Sequence, residues 1–112
     1  MKNLSMTYQS ELPVKECIQK ISAQPWEYKS NSGDALWYKC EMVSDTRLLV
    51  VFTGGQYRKA MRSQFFIDFM VEEGNTIVTM CFIKDLFGLP LMTPMNDIDC
   101  FMKQKINAIR NL

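Results

Sequence analysis

The chain has 112 residues, 47% of them hydrophobic and 22% charged, and its formal net charge at pH 7 is +1. This length and balance predict a single globular domain over residues 1–112, large enough to bury a core. A nearly neutral chain has no long-range field to attract nucleic acid or an acidic membrane, so we expect neither partner. No apolar run approaches the roughly 18 residues that a membrane-spanning helix needs.

Cysteine placement and the absence of histidine narrow the chemistry. The four cysteines form no Cys-x-x-Cys pair, so a zinc site would need thiolates from separate elements, and we expect no metal and no cofactor. Without histidine, neither a Ser-His-Asp nor a Cys-His site can form, and no other general base or nucleophile stands out. We therefore predict no catalytic residues and favour a protein that is not an enzyme. Because nothing at the N-terminus resembles a signal peptide, we expect reduced thiols and a cytoplasmic location.

The first quarter of the chain predicts a strand followed by a short helix. Leu4, Met6 and Tyr8 alternate with polar residues, which is typical of a half-buried strand. Pro13 suits the first position of a helix, and Pro25 requires that helix to end by Gln24. The apolar stripe of this amphipathic helix consists of Val14, Cys17, Ile18 and Ile21.

A strand hairpin is predicted next. Residues 26–28 could begin a strand or form a strand-like bend, and residues 30–34 have the composition of a turn. Clear alternation predicts a strand over residues 35–43, and residues 44–46 turn the chain into an apolar strand over residues 48–52. The length of the turn decides which side chains share a face, since a slip of one residue reverses them all.

Two registers of this hairpin are possible. A two-residue turn would place Leu49 and Val51 on the face of Tyr38. A three-residue turn would place Leu48, Val50 and Phe52 there instead. We favour the second register because it joins the bulkier set to the side that lacks Lys39 and Glu41.

A second hairpin is predicted between residues 65 and 83. Alternation over residues 65–72 predicts a strand, and residues 73–76 read as a tight turn. With Gly74 and Asn75 as the central residues of that turn, one face of the hairpin carries Phe65, Ile67, Phe69, Val78, Met80 and Phe82.

The C-terminal part predicts a loop and the best helix of the chain. Residues 85–95 are apolar but broken by glycine and proline, which excludes a regular element. Residues 96–112 then predict a helix that Asn96 can cap, with a stripe of Ile98, Met102, Ile106 and Ile109. The order β-α-β-β-β-β-α predicts an α+β domain, an antiparallel sheet with the long C-terminal helix packed across one face.

This order of elements resembles the START-like helix-grip superfamily. The opening residues 6–14, MTYQSELPV, are similar to the way such domains run from a strand into a helix near a proline. The TATA-binding-type fold shares the order, so that alternative stays open. The START-like resemblance implies an apolar ligand held between sheet and long helix, and some members are enzymes. The present chain departs from the pattern by being short.

The first candidate site is the space between the sheet and the C-terminal helix. Tyr38 could orient a ligand there through its hydroxyl group, and the nine methionines of the chain suit an adaptable apolar site. The alternative reading is that these side chains only fill the core. The predicted ligand-binding residues are Tyr38, Met42, Phe52, Phe69, Met80, Phe82, Phe101 and Met102.

The second candidate is the opposite face of the sheet. It is more apolar than a solvated face usually is, which suggests a homodimer or a protein partner. The alternative is that the 86–95 loop or the first helix covers part of it. The predicted interface residues are Trp37, Leu49, Val51, Phe66, Met70 and Ile83.

A third, weaker candidate follows Gly54 and Gly55. Arg58, Lys59 and Arg62 could bind an anion there, although the segment matches neither the P-loop nor the dinucleotide fingerprint. Solvated charges on a connection between strands explain the same pattern.

Two functions follow from these candidates. The first is a small non-catalytic module that binds an apolar or amphipathic small molecule between the sheet and the C-terminal helix. The alternative is an interaction or homodimerisation module that works through the outer sheet face. An enclosed cavity would favour the first function, and a filled core with an apolar outer face would favour the second.

Overall fold

The computed structural model describes residues 5–29, 35–55, 64–83 and 95–112. The α+β class is confirmed, and the order of elements matches the prediction except for one additional strand of three residues near Trp26. The elements are β1 (Ser5–Ser10), α1 (Val14–Ser22), β2 (Glu27–Lys29), β3 (Ala35–Ser44), β4 (Arg47–Gly55), β5 (Gln64–Glu72), β6 (Asn75–Ile83) and α2 (Met95–Ile109).

The strands form one antiparallel sheet in the order β1-β6-β5-β4-β3-β2. β1 and β2 follow each other in the chain but lie at opposite edges of this sheet. The segment that contains α1 therefore has to cross from one edge to the other. Within the described residues, neither helix is long and apolar enough to span a membrane.

The core lies between one face of the sheet, called here the inner face, and the two helices. Leu48, Ile67 and Met80 stand directly opposite one another on three adjacent strands, and none of them is exposed to solvent. Burying such side chains stabilises the fold by roughly 1.5–3 kcal/mol each. Most residues of the two predicted helix stripes contribute to the same core: Cys17, Ile18 and Ile21 from α1, and Met102, Ile106 and Ile109 from α2. Phe101, beside the α2 stripe, is buried there as well.

The β3–β4 hairpin has the predicted facing but reaches it by a different route. Tyr38 pairs with Phe52, and Met42 pairs with Leu48, so the favoured set of residues shares the register of Tyr38. The turn between Ser44 and Arg47 has two residues rather than three, and a register shift between Met42 and Ser44 supplies the extra residue. A β-bulge thus has the same effect on facing as a longer turn.

The β5–β6 hairpin also has the predicted inner face, with Phe65 opposite Phe82 and Phe69 opposite Val78. The central turn residues, however, are Glu73 and Gly74 rather than Gly74 and Asn75. They have φ values of 51° and 82°. Positive φ at both positions is what the primed two-residue turns require, because their twist matches that of the strands. The correction moves each pairing by two residues and leaves the faces unchanged.

The helix ends differ slightly from the prediction. Pro13 is the N-cap of α1 rather than its first residue, and the helix ends before Gln24 as expected. α2 begins at Met95, so Asn96 lies inside the helix instead of capping it. The predicted loop over residues 85–95 falls almost wholly outside the described residues.

Candidate functional site

Four aromatic rings meet between the inner sheet face and α2, and we call them the aromatic quartet: Tyr38, Phe65, Phe82 and Phe101. The ring of Phe101 lies 4.6 Å from that of Tyr38 and 4.7 Å from that of Phe65, measured between centroids. Phe65 also contacts Phe82 at 5.6 Å. Phe101 therefore joins the helix to β3 and β5 through direct ring contacts, at centroid distances that are usual for aromatic pairs.

Most of the predicted ligand-binding residues face this interior, but one does not. Tyr38, Phe69, Met80, Phe101 and Met102 are buried, and Phe82 is half-buried. Met42 is 61% exposed and does not belong to the lining, although its strand register is the expected one. It stands close to the end of the β3–β4 hairpin, where alternation predicts its face but not whether a helix covers it. The side chain of Phe52 lies outside the described residues.

A narrow cleft opens at the far end of α2, and it has room for about one water molecule. The phenol of Tyr8 lines this cleft. Tyr8 is buried, with only 8% of its surface exposed, yet its hydroxyl group has no hydrogen bond to any described residue. Burial raises the pKa of Tyr8, and the nearby Cys17 thiol adds to this effect. The remaining lining residues are Ser10, Leu12, Cys17, Lys20, Ile21, Ile109 and Leu112.

A buried lysine ties α2 to the edge of the sheet. Lys105 is 9% exposed, and its Nζ donates hydrogen bonds to the carbonyl oxygens of Pro25 and Glu27. Burial lowers its pKa. The centroid of the Trp26 ring lies 5.9 Å from that Nζ. The indole Nε1–H of Trp26 donates a hydrogen bond of 3.1 Å to the carbonyl oxygen of Ile21. The sequence pattern did not identify Lys105 as a buried residue, because lysine side chains are usually solvated.

The outer face of the sheet, opposite the helices, has a less continuous apolar surface than the sequence predicted. The guanidinium of Arg47 stacks over the ring of Phe66 at 4.2 Å and is paired with the carboxylate of Asp68. Leu49 and Val51 are half-buried. Lys39 and Glu41 form a second ion pair on this face, at 2.7 Å. Long polar side chains thus cover apolar rings that strand alternation alone leaves open.

Two predicted interface residues stay exposed, Trp37 at 46% and Met70 at 57%. They do not form one patch, because Trp37 pairs opposite Gly54 whereas Met70 lies beyond the row of Arg47. These rows are roughly 23 Å apart at the usual rise of a strand. The side chain of Ile83 lies outside the described residues.

The remaining chemistry is sparse in the part of the chain that is described. No three cysteine, aspartate or glutamate side chains group there as metal ligands would. All four cysteines are free thiols, with Cys17 buried and Cys100 exposed. Burial raises the pKa of Cys40 to about 11. The predicted anion-binding residues Arg58, Lys59 and Arg62 fall outside the described residues.

Comparison with known proteins identifies the fold. No family model matches the chain, and no curated protein matches it. Solved structures do match over nearly its full length. An Aha1 dimer from Colwellia psychrerythraea has a TM-score of 0.63 at 9% identity, with 99% of this chain and 95% of that chain covered. Ara h 8.0201 has a TM-score of 0.60 at 11% identity, with coverage of 98% and 95%.

A third match carries the name of the superfamily. A START superfamily protein from Mycobacterium smegmatis has a TM-score of 0.55 at 9% identity, and 96% of each chain is covered. Identities this low establish architecture and nothing about chemistry. Strand order, the packing of α2 on the inner face and these matches agree, and the chain has a START-like fold.

Proposed function

We propose that this protein is a small, non-catalytic module that holds an apolar or amphipathic molecule between the inner sheet face and α2. The observation that supports this most is the aromatic quartet, a carbon-rich wall with a single phenol, that of Tyr38. Small-molecule sites are usually of this kind, mostly apolar and aromatic with few polar groups that set orientation. START-like neighbours support the same reading, since the resemblance implies an apolar ligand at this place.

The binding mode has to account for close packing. Phe101 already contacts Tyr38 and Phe65, so a ligand would take over contacts that the helix now makes. Met80 and Met102 are fully buried next to the quartet, and methionine side chains adapt readily to a new neighbour. We therefore propose that ligand binding shifts α2 away from the sheet, with the sulfur-containing side chains filling the remaining gaps.

Entry is proposed at the end of the sheet where α2 begins. β4 ends there at Gly55, β5 begins at Gln64 and β6 ends at Ile83, and α2 is the next described element after β6 in the chain. Phe82, one residue from the end of β6, is half-buried, while the other three quartet residues are buried. The quartet is thus most accessible at this end.

Titration with the amphipathic fluorophore 1-anilinonaphthalene-8-sulfonate tests the proposal. We expect saturable binding with one site per chain. Tyr38→Phe should weaken it by about tenfold, the effect of losing one hydrogen bond. Tyr8→Phe is the matched control, because Tyr8 is another buried tyrosine of the same sheet face that lines a different cleft. The absence of saturable binding, or an equal effect of both variants, would contradict the proposal.

A second function, homodimerisation, has one observation in its favour, since the Colwellia psychrerythraea neighbour is itself described as a dimer. The ion pairs on the outer face make that face a weaker candidate than its composition implied. Light scattering on Trp37→Ser and Met70→Ser distinguishes the cases. An outer-face dimer would dissociate in both variants, whereas a ligand-binding monomer would be unchanged.

A further inference from the structure

The β5–β6 hairpin projects past Arg47, the first residue of β4. The pairing of β4 with β5 ends at Arg47 and Asp68. Beyond it, the amide of Phe69 donates one more hydrogen bond, to the carbonyl of Thr46 at 2.9 Å. β5 continues to Glu72, and β6 is the only described strand that lies beside these last residues. The last residues of β5 therefore form a short free edge inside the sheet, in line with β4.

The backbone of Val71 presents its hydrogen-bonding groups along this edge. Alternate residues of a strand point their amide and carbonyl to the same side. Since the amide of Phe69 points toward β4, the groups of Val71 point that way too, and no described residue pairs with them. An unpaired strand edge of this kind is a template for another strand.

Large apolar side chains flank the free edge. Met70 is 57% exposed and Val71 66%, and they point to opposite faces of β5. Met42 and Val43, at the neighbouring hairpin, are 61% and 55% exposed. Added side chains on either face of a new strand would thus find an apolar neighbour at this end of the sheet.

The charges of the two hairpin ends define the partner. Asp45, Glu72 and Glu73 are exposed carboxylates at the ends of the two hairpins. The nearby Arg47, the first residue of β4, is already paired with Asp68. No described cation pairs with these three carboxylates. Negative charge next to apolar side chains complements a segment that alternates basic and apolar residues.

We propose that an extended segment of another protein, with alternating basic and apolar residues, adds to the sheet as a strand along the Val71 edge of β5. Main-chain hydrogen bonds to Val71 would set its register, as in other cases of strand addition. The carboxylates of Asp45, Glu72 and Glu73 would select its charge. This inference rests on the sheet edge and does not depend on the proposed ligand site.

A capped peptide of about eight alternating lysine and valine residues is the probe, titrated into isotope-labelled protein and followed by amide chemical shifts. We expect saturable shifts centred on Phe69 to Glu72 that weaken as salt is added. Val71→Pro removes the free amide without touching the β6 ladder, and should weaken binding about tenfold or more. Val71→Thr keeps that amide and is the matched control, with an expected loss of about threefold or less.

Two further peptides keep the test decisive if Val71→Pro disturbs the fold. A glutamate–valine peptide of equal length should not bind, and a lysine–valine peptide with alternate N-methylated amides should bind as weakly as Val71→Pro predicts. Equal binding of all three peptides, shifts centred elsewhere, or no saturable shifts would overturn the proposal. So would a dimer of the protein that Val71→Pro dissociates, because the edge would then serve a second copy.

Discussion

Tyr38 and Phe101 bring their rings within 4.6 Å of each other, at an angle of 42°. Tyr38 belongs to β3, and Phe101 lies in the second turn of α2. This contact therefore joins the sheet to the long helix. The ring of Phe65 stacks on that of Phe101 with an interplanar angle of 25°. The position of α2 over the sheet, and hence the space beneath it, depends on Phe101.

Phe101→Ala should lower the free energy of unfolding by about 3–5 kcal/mol, because it removes a fully buried ring and leaves a cavity. Urea unfolding followed by circular dichroism measures this. Cys100→Ala, at the exposed neighbouring position, is the control and should change stability by about 0.5 kcal/mol or less. A loss below about 1 kcal/mol for Phe101→Ala would mean that α2 is not anchored by this ring.

Strand alternation predicted the inner face of the sheet because nearly every inward residue of β5 and β6 is a large hydrophobe. It did not predict the turn at Glu73 and Gly74, since a glutamate at positive φ goes against residue preference and depends on the twist of both strands. The sequence left open whether residues 26–28 begin a strand or form a bend. A strand as short as β2, with three residues, has too few positions to show a period.

Tyr8→Phe should raise the free energy of unfolding by about 1 kcal/mol. The substitution removes a buried hydroxyl that has no hydrogen-bond partner among the described residues and keeps the ring in the core. Thermal unfolding at neutral pH measures the change. A loss of about 1 kcal/mol instead would show that the hydroxyl is well satisfied, for example by a water molecule in the cleft.

The stability of the protein relative to Lys105→Met should rise with pH below 10.5. Burial lowers the pKa of Lys105 from its ordinary value of 10.5. Between the two pKa values the folded state binds fewer protons than the unfolded state, so unfolding becomes less favourable as pH increases. Below the folded pKa both states are protonated and the difference is constant.

Urea unfolding of both proteins from pH 7 to 10.5 measures this difference, and comparing them cancels the tyrosines and cysteines they share. Gln104→Met, at an exposed position of the same helix that carries no titratable group, is the control and should show no such slope. A difference that falls as pH rises would contradict the burial of the Lys105 charge.

The alkylation rates of Cys40 and Cys100 should differ strongly at pH 8, because the Cys40 thiol is half-buried. The exposed Cys100 should react with iodoacetamide readily at pH 8. Cys40, with a pKa of about 11, then has about a thousandth of its thiol ionised, and its rate should rise about tenfold per pH unit up to that pKa. Peptide mapping by mass spectrometry follows each site. Equal rates for Cys40 and Cys100 at pH 8 would contradict the half-buried position of Cys40.

The candidate site was only partly predictable. Tyr38, Phe82 and Phe101 could be assigned to the interior because facing follows from alternation and helical spacing. Met42 could not be assigned correctly, since its exposure depends on how far the helices reach over the sheet. The shielding of Phe66 by Arg47 depends on a long side chain folding back over a neighbouring strand, which no periodicity encodes.

Native mass spectrometry of protein purified from cells, before and after addition of an equimolar mixture of medium- and long-chain fatty acids, tests the central proposal most directly. It measures oligomeric state and retained small molecules together. We predict a monomer with one bound molecule per chain, with a clearly smaller bound fraction in Tyr38→Phe and an unchanged bound fraction in Tyr8→Phe. A dimer that retains no small molecule under either condition would contradict the proposal and would make the quartet a structural core alone.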